Sequence, residues 1–514
     1  MKRHNLYAAL LLAAIGYGCA KGPSASNPTT DVAKLSEAAP KYAETITAAD
    51  LSKHLYIIAS DEYEGRNTGE KGQKMAAEYI AREFREDGLV GPVKDNSANP
   101  YYQTFNLQKS TWGQGHITVG SQKYTMMQDF FPFGSSPFST EQNVEAVYVA
   151  DAAQITEGNA SGKLVLTKLA MGEVETRMRG FGAAAEKAGA KGVVYVLGAE
   201  EYKQMAERFS HRLSQPSITQ MNSTRTRPAT IFAAPNVGAA ILGTTPDKLA
   251  QASASAAFTP ASGIKVLMSR TSEPLETENV LGFIEGTDKK DEVIVVTAHY
   301  DHVGVDESLE GDKIFNGAND DGSGTVAVIE LAEAFAQAKK DGYGPRRSVL
   351  FMLVTAEEKG LLGSEYYANN PIFPLENTVA NINIDMIGRM DYTYEKTNDS
   401  NYIYVIGADK LSSELHQINE EMNQKYVNLK LDYTFNDEND PNRFYYRSDH
   451  YNFAKNGIPI VFYFNGVHDD YHQPGDHADK ILYDSAEKVS RLAFHVAWEL
   501  ANRENRIVVD SNKK

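Results

Sequence analysis

The sequence predicts an α/β fold: a mostly parallel, mixed twisted sheet flanked by helices, with a β-rich domain inserted into it. Three features of the 514 residues lead there. From residue 278 onward, continuous apolar runs alternate with helical stretches, the pattern of strands buried on both faces. Between about 115 and 270 the texture changes to short strand-like pieces among turn residues. Ahead of that region, residues 46–114 hold a helix and a strand of their own, so the insert (115–272) divides one domain into a first part (46–114) and a main part (273–514). A chain of this length exceeds one ordinary core.

Taken in order, the chain starts with Lys2 and Arg3, an apolar run over 6–15, and small residues before Cys19, the single cysteine. The run is too short to span a bilayer. The combination resembles a bacterial lipoprotein signal over 1–19, which implies export and a lipid on Cys19 as the sole membrane contact; a plain secretory signal is the alternative. One cysteine excludes an internal disulfide. Residues 20–45, rich in Ala, Pro, Ser, Asn and Thr, are expected to be a flexible linker. Met75, Tyr79, Ile80 and Phe84 share one face of a helix over 72–87 that Gly88 stops. "YYQTFNL" (101–107) alternates as a strand does. In the insert, 143–150 and 162–169 read as strands, and a helix within 180–198 runs through Gly189 and Gly192 into another. The main part carries strands at 279–286, 292–301, 348–356, 380–388, 401–407 and 458–464, with helices at 322–338, 360–369, 411–425 and 485–503. A net charge of −17 argues against a nucleic-acid partner.

In sheets of this kind the chemistry gathers at the carboxyl ends of the strands. Read there, "VVTAHYDHVG" offers His299 and Asp301, "NGANDDGSG" offers Asp320 and Asp321, "LVTAEEKG" offers Glu357 and Glu358, "NINIDMIGR" offers Asp385, and "DDYHQPGDHADK" offers Tyr471 and His472. Each has a plainer reading alone: the paired glutamates as a solvated helix start, "NDDG" as a turn with an N-cap. An aspartate ending an apolar strand is harder to dismiss, because burial without a partner is costly. Imidazole with carboxylate is the donor set of zinc-like ions. Five donors exceed the need of one catalytic ion and suit two ions sharing a carboxylate, about 3.5–4 Å apart. One adjacent glutamate can then bind a cation while the other moves protons.

The stretch "TAHYDHVG…NGANDDGSG…TAEEKGLLGS…NIDMIGR…SDHYNF…GIPIVFYF…YHQPGDHADK" resembles the co-catalytic di-zinc aminopeptidase family, which includes bacterial leucyl-type aminopeptidases and is related to glutamate carboxypeptidase II, the transferrin receptor and glutaminyl cyclases. "GKLVL…AAEKAGAKGVVYV" resembles a protease-associated domain. The resemblance implies a zinc-exopeptidase, phosphorylase/hydrolase-like sheet and two zinc ions, with His299 and Asp385 on one, Glu358 and His472 on the other, and Asp320 bridging. It implies Glu357 as general base and acid, Asp301 hydrogen-bonded to His299 to fix its tautomer, Tyr471 aimed at the developing oxyanion, and a cis peptide after Asp320. His302, His468 and His477 match no ligand position, His450 is left open, and His495 is expected in the core. The implied activity is hydrolysis of peptide substrates at a chain end, foremost an aminopeptidase. Carboxypeptidase, dipeptidase or single-zinc glutaminyl cyclase action are the alternatives, ahead of a non-enzymatic binding module. Side-chain preference, oligomeric state and the insert's role are not legible.

Overall fold

The computed structural model describes residues 32–94, 98–134, 136–221, 227–253 and 255–511. The signal-like stretch and Cys19 lie outside them. In chain order, the elements that build and support the site are α1 (Val32–Ala43), α2 (Ala48–Ile58), α3 (Lys71–Asp87), β1 (Tyr102–Val119), β2 (Ile264–Ile284), β3 (Lys289–His299), α4 (Gly324–Lys340), β4 (Arg347–Val354), β5 (Thr378–Ile384), β6 (Tyr402–Ile406), β7 (Lys430–Asp432), β8 (Ile460–Phe464) and α5 (Tyr483–Asn502).

The main sheet runs β7-β6-β8-β5-β3-β4-β2-β1. Its centre is parallel: β3 pairs with β4 and β5, and β5 with β8. Antiparallel pairs flank it, β2 with β4, β1 with β2, and β6 with β8. Every residue of β4 and β5 is buried, because both faces are covered. Ile294, Val296, Ala298, Val349, Phe351 and Leu353 pack under α1–α5, while Val293, Val295, Leu350, Met352 and Val354 face Tyr367, Phe453 and Ile458 on the other side. The period-two alternation of side chains divides one apolar run between two cores. Helix α3 stops where Gly88 takes φ 90°, its N–H bonding the Arg85 and Phe84 carbonyls. Among the described residues no helix is long and apolar enough to cross a membrane.

The expected linker over 20–45 is corrected from Val32 on. Residues Val32–Ala43 form α1, with Leu35, Ala39 and Tyr42 buried. Trp498 Nε1 of α5 donates to the Leu35 carbonyl at 3.0 Å, and the Tyr42 and Trp498 rings stack at 5.9 Å. The Pro, Ser, Asn and Thr of 20–45 read as a loop, yet the 35/39/42 spacing is one helical face.

The junctions with the insert are continuous strands. β1 and β2 pair from Tyr102↔Val280 to Val119↔Ile264, with a register shift between Trp112 and Gly115. Beyond them, five strands order as Phe130–Phe133, Ala229–Ala233, Gly192–Val196, Leu164–Lys168 and Ala146–Tyr148. Three of those four pairings are parallel. Parallel neighbours need crossovers, and the helices Val174–Lys187 and Ala199–Ser214 supply two of them; the second has no counterpart in the sequence reading.

Candidate metal centre

β3 ends at His299, β4 leads into Glu357 and Glu358, β5 leads into Asp385, and the turn before α4 carries Asp320. The loop after β8 brings His472 back over them. His299 Nδ1 donates to the Asp301 main-chain carbonyl at 3.1 Å, which turns Nε2 toward the site. Nε2 lies 3.3 Å from Asp320 Oδ1, 3.7 Å from Asp385 Oδ2 and 3.8 Å from Glu357 Oε2. The other Asp320 oxygen, Oδ2, lies 3.0 Å from His472 Nε2, which is also 3.0 Å from Glu358 Oε1. A single carboxylate thus faces two imidazoles through opposite oxygens, the disposition a bridging ligand needs.

The backbone explains the placement. The Asp320–Asp321 peptide is cis. Asp476 Oδ2 accepts the N–H groups of Asn319 and Asp320 at 2.9 and 3.1 Å. Asp321 turns the other way: its Oδ1 accepts from Gly324 N at 2.8 Å and Met386 N at 3.1 Å, tying the start of α4 to the end of β5. Asp385 is oriented by the Ser448 hydroxyl at 2.7 Å. Tyr471 stacks on His472 at 4.0 Å, and its hydroxyl accepts from Arg447 Nη2 at 3.4 Å. Beside the donors, Met386, Phe444, Phe462, Phe464 and Val467 line a small recess together with Arg447 and Tyr471.

Two expectations need correction. The Asp301 carboxylate does not hold His299: Oδ1 is 3.8 Å from Nδ1, and it accepts the Glu357 main-chain N–H at 3.1 Å while Oδ2 accepts the Thr68 hydroxyl at 2.8 Å. The main-chain carbonyl of the same residue takes the imidazole proton instead. His302, which matches no ligand position in the sequence, is fully buried at the site, with Nδ1 2.9 Å from Glu358 Oε1 and 3.8 Å from Asp320 Oδ2. The chain turns after β3, so a residue three past His299 returns to the same edge; the second histidine in "HYDH" was the available signal. The other histidines stay out. His468 Nε2 meets Asn319 Nδ2 at 3.0 Å, His450 stacks on Phe462 at 4.5 Å, His477 pairs with Asp312 at 3.1 Å, and buried His495 stacks on Tyr426 at 3.9 Å.

Charge makes the cluster unusual. Asp301, Asp320, Asp321, Asp385, Asp449 and Asp476 are all buried, with Glu357 and Glu358 beside them. Arg66 is buried among them, and its guanidinium is taken up by the carbonyls of Ile58, Tyr300, Asn316 and Gly317. Burial pushes the Glu357 carboxyl well above its ordinary range, the charge of His299 opposing and that of Glu358 adding. Burial also raises Asp449, to about 7. Burial opposes charge on His472, yet Glu358 and Asp320 outweigh it and lift the imidazole to about 10. Carboxylates in such excess, out of water, call for cations.

The residues fit divalent ions. Donor atoms of His299, Asp320 and Asp385 lie within 4.8 Å of one another, as do those of His302, Asp320 and Glu358. Tetrahedral zinc with bonds of about 2.0–2.2 Å sets its donors about 3.3 Å apart, close to the separations above. Glu358 Oε1 is buried without a hydrogen-bond partner.

The strand ends of this sheet thus gather two such donor sets at one edge. Residues 279–497 match the model of peptidase family M28. It is 26% identical over 274 residues to a probable zinc metalloprotease of Pyricularia oryzae, covering 46% of this chain and 53% of that protein. It is also 26% identical over 238 residues to aminopeptidase YwaD of Bacillus subtilis, covering 45% and 46%. The matched stretch thus spans about half the length of each relative. The structure of an aminopeptidase from Aneurinibacillus sp. strain AM-1 superposes with a TM-score of 0.56 at 18% identity, covering 92% of this chain and 98% of that one, which establishes a shared fold.

Proposed function

We propose that the chain is a di-zinc aminopeptidase. The observation that carries this is Asp320, whose two oxygens face His299 and His472 at 3.3 and 3.0 Å. His299 and Asp385 would hold one zinc, Glu358 and His472 the other, and Asp320 both. Bound there, the ions supply Lewis-acid polarisation and a lowered water pKa.

The remaining work falls to the chain's own groups. Glu357 removes the proton of the attacking water and returns it to the leaving amine as the peptide C–N bond breaks. Its backbone N–H is held by Asp301, which fixes the point from which the side chain reaches the site. The Tyr471 hydroxyl accepts from Arg447, which leaves its own proton to donate to the carbonyl oxygen as that oxygen gains charge. Met386, Phe444, Phe462, Phe464 and Val467, with Arg447, form the surface that a substrate group beside the donors would meet. The zinc metalloprotease and aminopeptidase names of the relatives agree with this activity.

Export with a lipid on Cys19, and a protease-associated domain over 115–272, belong to the same reading and rest on the sequence. The test is a panel of aminoacyl anilides and their N-acetylated forms, with and without a chelator. Cleavage of free aminoacyl substrates that chelation abolishes and zinc restores is expected. Equal cleavage of blocked substrates, or full activity after exhaustive chelation, overturns the reading.

A further inference from the structure

His302 carries a consequence that the proposed five-residue donor set does not include. Its ring is fully buried, and neither Nδ1 nor Nε2 has a hydrogen-bond partner. A buried imidazole with both nitrogens unsatisfied is costly, so something must use them. Glu358 Oε1 is equally orphaned, although it stands 2.9 Å from His302 Nδ1. At that distance the two atoms still make no well-formed hydrogen bond, and two donors that share a third centre stand about this far apart. His472 Nε2 stands in the same relation to Glu358 Oε1 and Asp320 Oδ2, 3.0 Å from each.

The ring is held there by backbone. His302 N donates to the Arg66 carbonyl at 3.2 Å. Gly317, at φ 56°, lies so close that a Cβ on it would come within 2.5 Å of His302 Cγ and Cδ2. This pocket fits an imidazole edge-on to His472, the two ring centroids 5.6 Å apart at 67°.

We propose that His302, through Nδ1, is a fourth protein ligand of the cation held by Asp320, Glu358 and His472. The proposal rests on the two-cation reading above. It makes the pair asymmetric. One position has two imidazoles and two carboxylates, so protein fills its coordination in the manner of a structural ion. The other has one imidazole and two carboxylates, with Glu357 beside it, and retains room for substrate. The reacting edge is therefore the His299–Asp385 side.

Zinc-edge X-ray absorption on the full chain loaded with two zinc equivalents tests this without a variant. Three imidazoles shared over two zinc ions are expected. Two imidazoles over two zinc ions overturn the proposal and leave the di-zinc reading standing. A chain that holds a single zinc at saturation overturns both. Alongside it, competition with a chromophoric chelator compares wild type with His302→Ala and His302→Gln. One zinc should bind about 10–100-fold more weakly, the other unchanged, as for loss of a strong contact to a metal site. Unchanged affinity for both ions in both variants also overturns the proposal.

Discussion

Single side chains at the strand ends do separable jobs, and their substitutions should separate too. Glu357 stands 3.8 Å from His299 Nε2 but belongs to neither donor set, so Glu357→Gln removes a proton carrier and no ligand. A loss in kcat of about 10²–10⁴-fold is expected, with zinc content by plasma emission unchanged. Near-normal turnover in that variant would falsify the role. Asp301 makes a sharper case. Were its carboxylate the partner of His299, Asp301→Asn would weaken zinc by about 10–100-fold. The imidazole proton goes instead to the main-chain carbonyl, which the substitution keeps, while the carboxylate holds the Glu357 amide and Thr68. Zinc affinity should therefore survive and kcat fall; the reverse outcome would restore the carboxylate–imidazole pair. The sequence showed which residue types end each strand. It could not show which atom of Asp301 meets His299, because that depends on how the chain turns after β3, and the same turn hid His302.

At the scale of elements, the strands were readable because β4 and β5 are buried along their whole length, and burial on both faces writes a continuous apolar run. Helix α5 was readable for the same reason on one face, and it carries a titratable group in that face. His495 is buried against Tyr426, and its pKa is pushed down to about 4, first by burial and then by the charges of Lys425 and Arg491. An unfolded histidine titrates near about 6.5. The folded chain thus favours the neutral ring, a contribution fully present above about pH 6.5 and lost as pH falls toward about 4. At pH 5 the loss is about 2 kcal/mol by linkage. His495→Phe keeps a ring on Tyr426 and removes the titration. Urea unfolding of metal-free wild type and variant at pH 7 and pH 5 should show the variant gaining about that much relative to wild type at the lower pH. A difference independent of pH would mean the imidazole is already solvated in the folded state.

For the whole molecule, the expected boundaries near 115 and 272 fall inside β1 and β2, which run unbroken past them, and a composition shift marks no strand end. The insert's helix Ala199–Ser214 was missed because "AEEYKQMAERFSHRLS" is mostly polar, so its packing residues Tyr202 and Met205 stand out only beside the core they join. The N-terminal edge was misjudged for a related reason. α1 has few large apolar residues, and what fixes it is a partner far along the chain: Trp498 donates to the Leu35 carbonyl and stacks on Tyr42, while Lys41 pairs with Asp341 at 2.6 Å. The exposed ion pair adds little; the buried aromatic contact carries the weight. α1 therefore closes the core over α4 and α5, and a chain beginning at Glu44 should lose more than a tether. Its Tm should fall, and because the chain has only two tryptophans, uncovering Trp498, now 2% exposed, should shift the emission to the red. Zinc content should hold, since the proposed donors sit at the strand ends, from His299 onward in the chain, and none of them touches α1. A truncated chain with unchanged Tm and unchanged emission would return residues 32–43 to the role of a linker.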